Sequence, residues 1–185
     1  MFFNLKIFYF LIFLILSSKV IANEKDGIIQ NLKSIQNITF DFEQNINGKI
    51  ENGKCTIEYS KKINCKYNLQ NNKVLISNGR SIVVKTSSSF YIYPIEKTPL
   101  NQILDKKLIL KKLSNLTPRI IDNSYVNFKF SENNNEINLF FDKKTSNLIG
   151  WQTLDIYQNL SITYLNSIVK NQKLKKDLFK LPKQN

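Results

Sequence analysis

The fold of this chain is decided by residues 54–67, which read Lys-Cys-Thr-Ile-Glu-Tyr-Ser-Lys-Lys-Ile-Asn-Cys-Lys-Tyr. Apolar or aromatic side chains occupy every second position on both sides of a polar turn near residues 60–62. This period of two is typical of strands with one buried face, so the stretch predicts a β-hairpin. Cys55 and Cys65 then face each other at about 4.5–5.5 Å between Cα atoms, which a disulfide can bridge.

The first 22 residues predict export of the chain. Lys6 precedes an unbroken apolar run, Ile7–Leu16, and the small residue Ala22 follows a short polar stretch. The run is too short to span a bilayer, which needs roughly 20 apolar residues, so it is typical of a secretory signal peptide. We expect cleavage after Ala22, a single mature domain over residues 23–185, and no lipid anchor, because no cysteine lies near the cleavage point.

Export makes a Cys55–Cys65 disulfide the default expectation, because exported proteins meet an oxidising compartment. Two buried thiols are the alternative. A redox-catalytic pair is not expected, because the chain has no Cys-x-x-Cys motif and no histidine to lower a thiol pKa.

Outward from the hairpin the pattern is β-rich. Residues 24–36 have helical spacing of apolar side chains, and residues 99–104 predict a short second helix after Pro94. Strands are predicted at residues 38–43, 73–77, 81–85, 90–93, 126–130, 137–141, 148–156 and 160–168, and at a last short strand, 177–182. The fold class is therefore mainly β (α+β): about ten antiparallel strands that curl into an incomplete barrel enclosing, or lidded by, short helices. Its aromatic-rich interior forms either an ordinary core or a cavity for a hydrophobic ligand.

The net charge of the chain narrows the classes of partner that it is expected to bind. A net charge of +13, carried almost entirely by lysine, reflects compositional drift or attraction to anionic membrane faces and acidic partners. Nucleic acid is not expected, because the signal peptide takes the chain away from it and no zinc-finger or basic-helix pattern is present.

The residue inventory argues against an enzyme. The chain lacks histidine, the commonest general base and metal ligand, and contains no phosphate-binding glycine loop, zinc pattern or nucleophile elbow. Asp41 and Glu43 share the polar side of a predicted strand and are explained by solvent exposure. We expect no catalytic residue, no metal and no cofactor.

The order of several short motifs resembles the periplasmic outer-membrane lipoprotein carrier (LolA-type) family. The motifs are the strand Ile38–Gln44, then Gly53, the pair Lys66-Tyr67, the turn Ser77–Arg80, the segment Tyr93–Leu100 and the ending Leu178–Pro182. The resemblance implies a monomeric periplasmic carrier with an incomplete barrel lidded by helices. Its cavity would take lipoprotein acyl chains from an inner-membrane release complex to an outer-membrane receptor.

One departure from the family concerns the hairpin turn. Lys61-Lys62 stand where the family commonly has arginine and proline, the arginine holding the lid shut. Lys61 is therefore a possible lid latch, weaker than arginine because lysine lacks the planar fork of donors.

The predicted cavity and lid residues are apolar and aromatic side chains on the expected inner faces. They are Phe40, Phe42, Ile57, Tyr59, Tyr67, Tyr91, Tyr93, Leu100, Ile103, Leu104 and Trp151. Two other functions stay open: a carrier or sensor of another lipid or amphiphile, and a non-enzymatic periplasmic module that binds a protein partner.

Overall fold

The structure is a computed structural model that describes residues 24–59, 61–154 and 158–184. The predicted signal peptide and its cleavage after Ala22 lie outside this part of the chain. The division of the chain at residue 22 therefore stays a prediction.

A single antiparallel sheet of eleven strands runs through the described residues. Its strands are β1 Asn37–Ile46, β2 Lys49–Glu58, β3 Lys62–Tyr67, β4 Val74–Asn78, β5 Ser81–Lys85, β6 Phe90–Pro94, β7 Arg119–Ile121, β8 Tyr125–Glu132, β9 Asn135–Asp142, β10 Leu148–Leu154 and β11 Leu160–Lys170. The order is β6-β5-β4-β3-β2-β1-β11-β10-β9-β8-β7, so two meanders are joined where β1 pairs with β11. The sheet is not closed, which confirms the predicted incomplete antiparallel barrel. One strand, β7, lies in a stretch where no strand was predicted.

Three short helices accompany the sheet in the part of the chain that the structure describes. Residues 24–34 form α1, Leu100–Ile103 form α2 and Lys106–Asn115 form α3, and a 3₁₀ turn, Ile95–Lys97, precedes α2. Helix α3 was not predicted from the sequence. Its start is fixed by Asp105, whose Oδ1 accepts a hydrogen bond from the Leu108 N–H at 3.0 Å and so satisfies one of the helix's free donors.

The concave face of the sheet and the helices share one hydrophobic core. Ile28 and Leu32 of α1 and Leu113 of α3 are buried against aromatic residues of the sheet such as Phe40 and Phe128. Burial of each such side chain contributes about 1.5–3 kcal/mol, which makes this face the main source of stability.

Two lysines bind α1 and α3 to each other as antiparallel neighbours. Lys25 Nζ, in α1, donates to the carbonyls of Ser114 and Leu116 at the end of α3, at 2.7 and 2.9 Å. Lys106 Nζ, at the start of α3, donates to the Ile35 carbonyl just beyond α1, at 2.7 Å. Each contact satisfies carbonyls that a helix end leaves without an intrahelical donor and places a cation where the helix dipole is negative.

The prediction of a final strand at residues 177–182 is wrong. Residues 176–179 form a turn, and Asn64 Nδ2 of β3 donates to the Leu178 carbonyl at 2.5 Å. Both edges of β3 are already paired, with β2 and β4, so the tail lies on the face of the sheet and cannot extend it. Phe179 is buried there, with Lys62 Nζ 5.8 Å from its ring centroid.

The predicted hairpin and its disulfide are confirmed. Cys55 of β2 lies directly opposite Cys65 of β3, with 4.1 Å between Cα atoms, and the two sulfurs are bonded. Both residues are buried in the core. The cross-link therefore joins two adjacent strands beneath the helices.

Reduction of this disulfide should lower the free energy of unfolding by about 2–3 kcal/mol, because the bond closes a short loop in the unfolded chain. Urea denaturation of the protein with and without reductant measures the difference. A Cys55→Ala/Cys65→Ala variant should show no response to reductant. Equal unfolding midpoints for oxidised and reduced wild-type protein would contradict the expected contribution.

Candidate functional site

A groove lies between the concave face of the sheet and a lid, defined here as residues 98–104, which include α2. The groove has a volume of about 220 Å³. Sites for drug-sized ligands have roughly 300–1,000 Å³, so the groove as it stands accommodates only a short alkyl segment. A longer chain requires the lid to move.

One side of the groove is apolar. Leu75 of β4 and Ile82 and Val84 of β5 form its wall, with Tyr93 of β6 beside them. The other apolar lining residues come from the lid and from strands β1 and β10; they are Pro99, Leu100, Ile46, Trp151 and Leu154. An alkyl chain can pack against this surface without leaving a polar group unpaired.

Four connected side chains form a polar patch in the groove: Gln44, Tyr67, Lys73 and Ser161. Gln44 Nε2 donates to the Ser161 and Thr163 hydroxyl oxygens at 3.1 and 3.3 Å, and Gln44 Oε1 accepts from the Tyr67 hydroxyl at 3.3 Å. Burial, followed by the nearby charge of Glu51, raises the pKa of Tyr67, so its hydroxyl stays a neutral donor.

Tyr67 reaches this network because Gly53 has no side chain. Gly53 of β2 lies opposite both Phe42 of β1 and Tyr67 of β3. A Cβ at Gly53 would come within 2.7 Å of the Phe42 ring and would also collide with the Lys66 carbonyl oxygen. In its absence the rings of Phe42 and Tyr67 meet edge to face, with 5.0 Å between centroids.

A charged cluster adjoins the polar patch. The Glu51 carboxylate is buried and bonded to Lys73 Nζ and, at 3.0 Å, to Lys49 Nζ. Lys73 lines the groove, and its Nζ also lies 4.1 Å from the centroid of the Tyr67 ring. Burial by itself raises the pKa of Glu51, but the hydrogen bonds and positive charges of Lys73 and Lys49 outweigh it and hold that pKa below its usual value.

This lowered pKa predicts acid sensitivity. Glu51 adds stability while it is ionised in the folded protein, above its unfolded pKa of about 4.3, and the contribution is lost as pH falls through the lower folded pKa. Unfolding midpoints measured between pH 6 and about pH 3 should therefore fall less steeply in Glu51→Gln than in the wild type. Parallel pH profiles would contradict the assignment.

The eleven predicted cavity and lid residues fall into three groups. Tyr67, Tyr93, Leu100 and Trp151 line the groove. Phe40, Phe42, Ile57, Tyr59, Ile103 and Leu104 are buried in the hydrophobic core. Tyr91 is 53% exposed and stacks on Tyr93, with 6.5 Å between ring centroids. That these residues contact a ligand stays a prediction.

Several lining residues were absent from that prediction. Leu75, Ile82 and Val84 alternate within strands that the sequence does predict, so their common face was recognisable. Gln44 and Lys73 gave no such signal, because polar side chains on a strand normally indicate its solvent face.

Lys61 contacts the segment that follows the lid. Its Nζ lies 3.2 Å from Asp105 Oδ2, in an ion pair that is partly shielded from solvent. Asp105 also caps α3, so a single carboxylate links the hairpin turn to the end of the lid. This position suits the predicted latch role, which itself stays a prediction.

The described residues contain no group of three or more His, Cys, Asp or Glu side chains placed to hold a metal ion. Within the same ranges, no helix has both the length and the apolar character needed to cross a bilayer.

An open antiparallel barrel with helices packed in its concave face and a lidded apolar groove is a half-barrel carrier fold. Residues 33–182 match the family described as outer membrane lipoprotein carrier protein LolA, and the chain belongs to this family. The predicted family relationship is thus confirmed. No curated protein sequence matches the chain significantly.

Solved structures of similar proteins include three of comparable length. A LolA superfamily protein from Nitrosomonas europaea is 7% identical, with 84% of this chain and 97% of that chain covered and a TM-score of 0.45. A putative outer membrane lipoprotein-sorting protein domain from Vibrio parahaemolyticus is 7% identical, with 83% and 94% covered and a TM-score of 0.46. LprF from Mycobacterium bovis is 13% identical, with 84% and 97% covered and a TM-score of 0.45.

Proposed function

We propose that this protein is a soluble periplasmic carrier that shields lipoprotein acyl chains and transfers them from an inner-membrane release complex to an outer-membrane receptor. The observation that carries the proposal is the apolar groove under the lid in a member of the lipoprotein carrier family. Each buried methylene favours such a site over water by about 0.8 kcal/mol, so an acyl chain that leaves one membrane needs this shelter.

The small groove volume defines how the cargo enters. At about 220 Å³ the groove does not hold a full acyl chain, so loading displaces the lid and lengthens the groove along the sheet. The lid helix α2 has only four residues and no side-chain cap at its start, so its position depends on the packing of Ile103 and Leu104 in the core. Cargo and lid then compete for the same apolar surface, which keeps binding loose enough for release.

The single tryptophan of the chain offers a direct test, because Trp151 lines the groove. A triacylated lipopeptide with brominated acyl chains should quench the fluorescence of Trp151 to saturation at one ligand per protein. The same peptide without acyl chains should have no effect, and Trp151→Phe should remove the signal.

The outcomes of this titration separate the candidate functions. Quenching by the lipopeptide supports the carrier. Quenching by a brominated free fatty acid but not by the lipopeptide points to a carrier of another amphiphile. Absence of quenching by any acyl ligand contradicts both.

The proposed latch gives a second test. Loss of the Lys61–Asp105 ion pair should speed release of a bound lipopeptide a few-fold, because a partly exposed pair contributes up to about 1 kcal/mol. Lys61→Gln is the informative variant, since replacing Asp105 would also remove the cap of α3. Stopped-flow displacement measures the release rate.

The neighbouring lysine provides the matched control. Lys62 pairs with Glu58 of the adjacent strand, at 2.9 Å, and not with the lid segment. Lys62→Gln should leave the release rate unchanged. Equal rates for Lys61→Gln and the wild type would exclude Lys61 as a latch.

A further inference from the structure

We propose that the polar patch of the groove is a subsite for the head of the acyl chain, in which Lys73 Nζ donates a hydrogen bond to a carbonyl or carboxylate oxygen. This inference rests on the proposed carrier function and adds a specificity to it. The ligand class is an alkyl chain that ends in an oxygen acceptor, and not a plain hydrocarbon.

A connected polar patch in an otherwise apolar groove carries the inference. Gln44, Ser161 and Lys73 line the groove together with apolar residues such as Leu75, Ile82 and Val84. Polar groups that a bound ligand covers without pairing cost free energy, so a site evolved for hydrocarbon alone would have apolar side chains throughout. The polar patch therefore matches a ligand that carries polar atoms of its own.

The ammonium group of Lys73 is positioned to donate a hydrogen bond into the groove. Its ammonium group has three hydrogens, one of which points at Glu51, while the ring of Tyr67 lies against the group's other side. The Lys73 side chain is 19% exposed, and Glu51 and Tyr67 fix the direction of its donors. A ligand oxygen at this point would meet a positioned cation.

The charges around Glu51 do not cancel. One buried carboxylate is shared by Lys49 and Lys73, which leaves one surplus positive charge beside the groove. A negatively charged or strongly polar ligand oxygen balances that surplus, and hydrogen bonds to charged donors are stronger than neutral ones.

The hydroxyl of Ser161 supplies a second donor. Its oxygen accepts from Gln44 Nε2, and a hydroxyl has a single hydrogen of its own to donate. Ser161 is buried and lines the groove, so that hydrogen can turn toward a ligand oxygen. Lys73 directly precedes β4 and Ser161 lies in β11, so the two donors reach the ligand head from different meanders of the sheet.

Displacement of the brominated lipopeptide, read as recovery of Trp151 fluorescence, tests the subsite with three unbrominated ligands of equal chain length. These are dodecane, which has no oxygen, dodecanoate, and an N-dodecanoyl dipeptide. In the Lys73→Met protein we expect the affinity for dodecanoate, the N-dodecanoyl dipeptide or both to fall about tenfold or more, the value of a charged hydrogen bond. The affinity for dodecane should stay within about twofold of the wild type.

The two oxygen-bearing ligands identify the source of the head. A loss confined to dodecanoate assigns the subsite to a free carboxylate, and a loss for the N-dodecanoyl dipeptide assigns it to the amide linkage of an acylated protein. Either result supports the subsite. Equal weakening of all three ligands, or no weakening of any, overturns it.

Lys54→Gln is the matched control, because Lys54 is an exposed lysine of β2 that pairs with Asp41 and is not one of the groove-lining residues. It should leave all three affinities unchanged. A Glu51→Gln/Lys73→Met variant, which avoids an underpaired buried carboxylate, should reproduce the selective loss in a protein of wild-type unfolding midpoint. If wild-type protein binds none of the three ligands, the carrier function itself fails, and the subsite falls with it.

Discussion

The pairing of β1 with β11 is the interaction on which the rest of the structure depends. It joins two meanders that are otherwise separate along the chain, and it places β1 at the centre of the curved sheet. The inward side chains of β1 run from Ile38 and Phe40, under the helices, to Gln44 and Ile46, which line the groove. One strand thus connects the permanent core to the groove, and Gln44 forms its hydrogen bonds across the junction with β11.

An open barrel must cover its concave face, and this chain covers the two ends of that face differently. At one end α1 and α3 fill the interior and are fastened to each other by Lys25 and Lys106. At the other end only a short lid lies over the sheet, and a groove stays beneath it. The part of this hydrophobic surface that α1 and α3 cover therefore stabilises the fold, and the part under the lid is the proposed loading site. The disulfide joins β2 and β3 of the same sheet.

Much of the fold could be predicted from the sequence because strand alternation is a local signal. The hairpin register that pairs Cys55 with Cys65 follows from their spacing about a polar turn. Helix α3 was missed because its lysines obscure the amphipathic pattern of the segment, in which only Ile109 and Leu113 are buried. The prediction of a strand at residues 177–182 was wrong because the pairing of strand edges depends on the whole sheet, which a local pattern does not show.

The groove was harder to predict than the fold. Alternation tells which face of a strand is apolar, but the docking of helices decides which end of that face becomes core. Phe40 and Trp151 share a face and even an edge-to-face contact, with 6.2 Å between centroids, yet only Trp151 lines the groove. Gln44 and Lys73 both contact Tyr67. Tyr67 occupies its position because Gly53, which lies opposite it, has no side chain. Native mass spectrometry of the protein purified from its native cells tests the central claim most directly. The predicted result is a bound acylated species that a Leu100→Glu protein lacks. A ligand-free wild-type protein bound to one stable protein partner would contradict the claim.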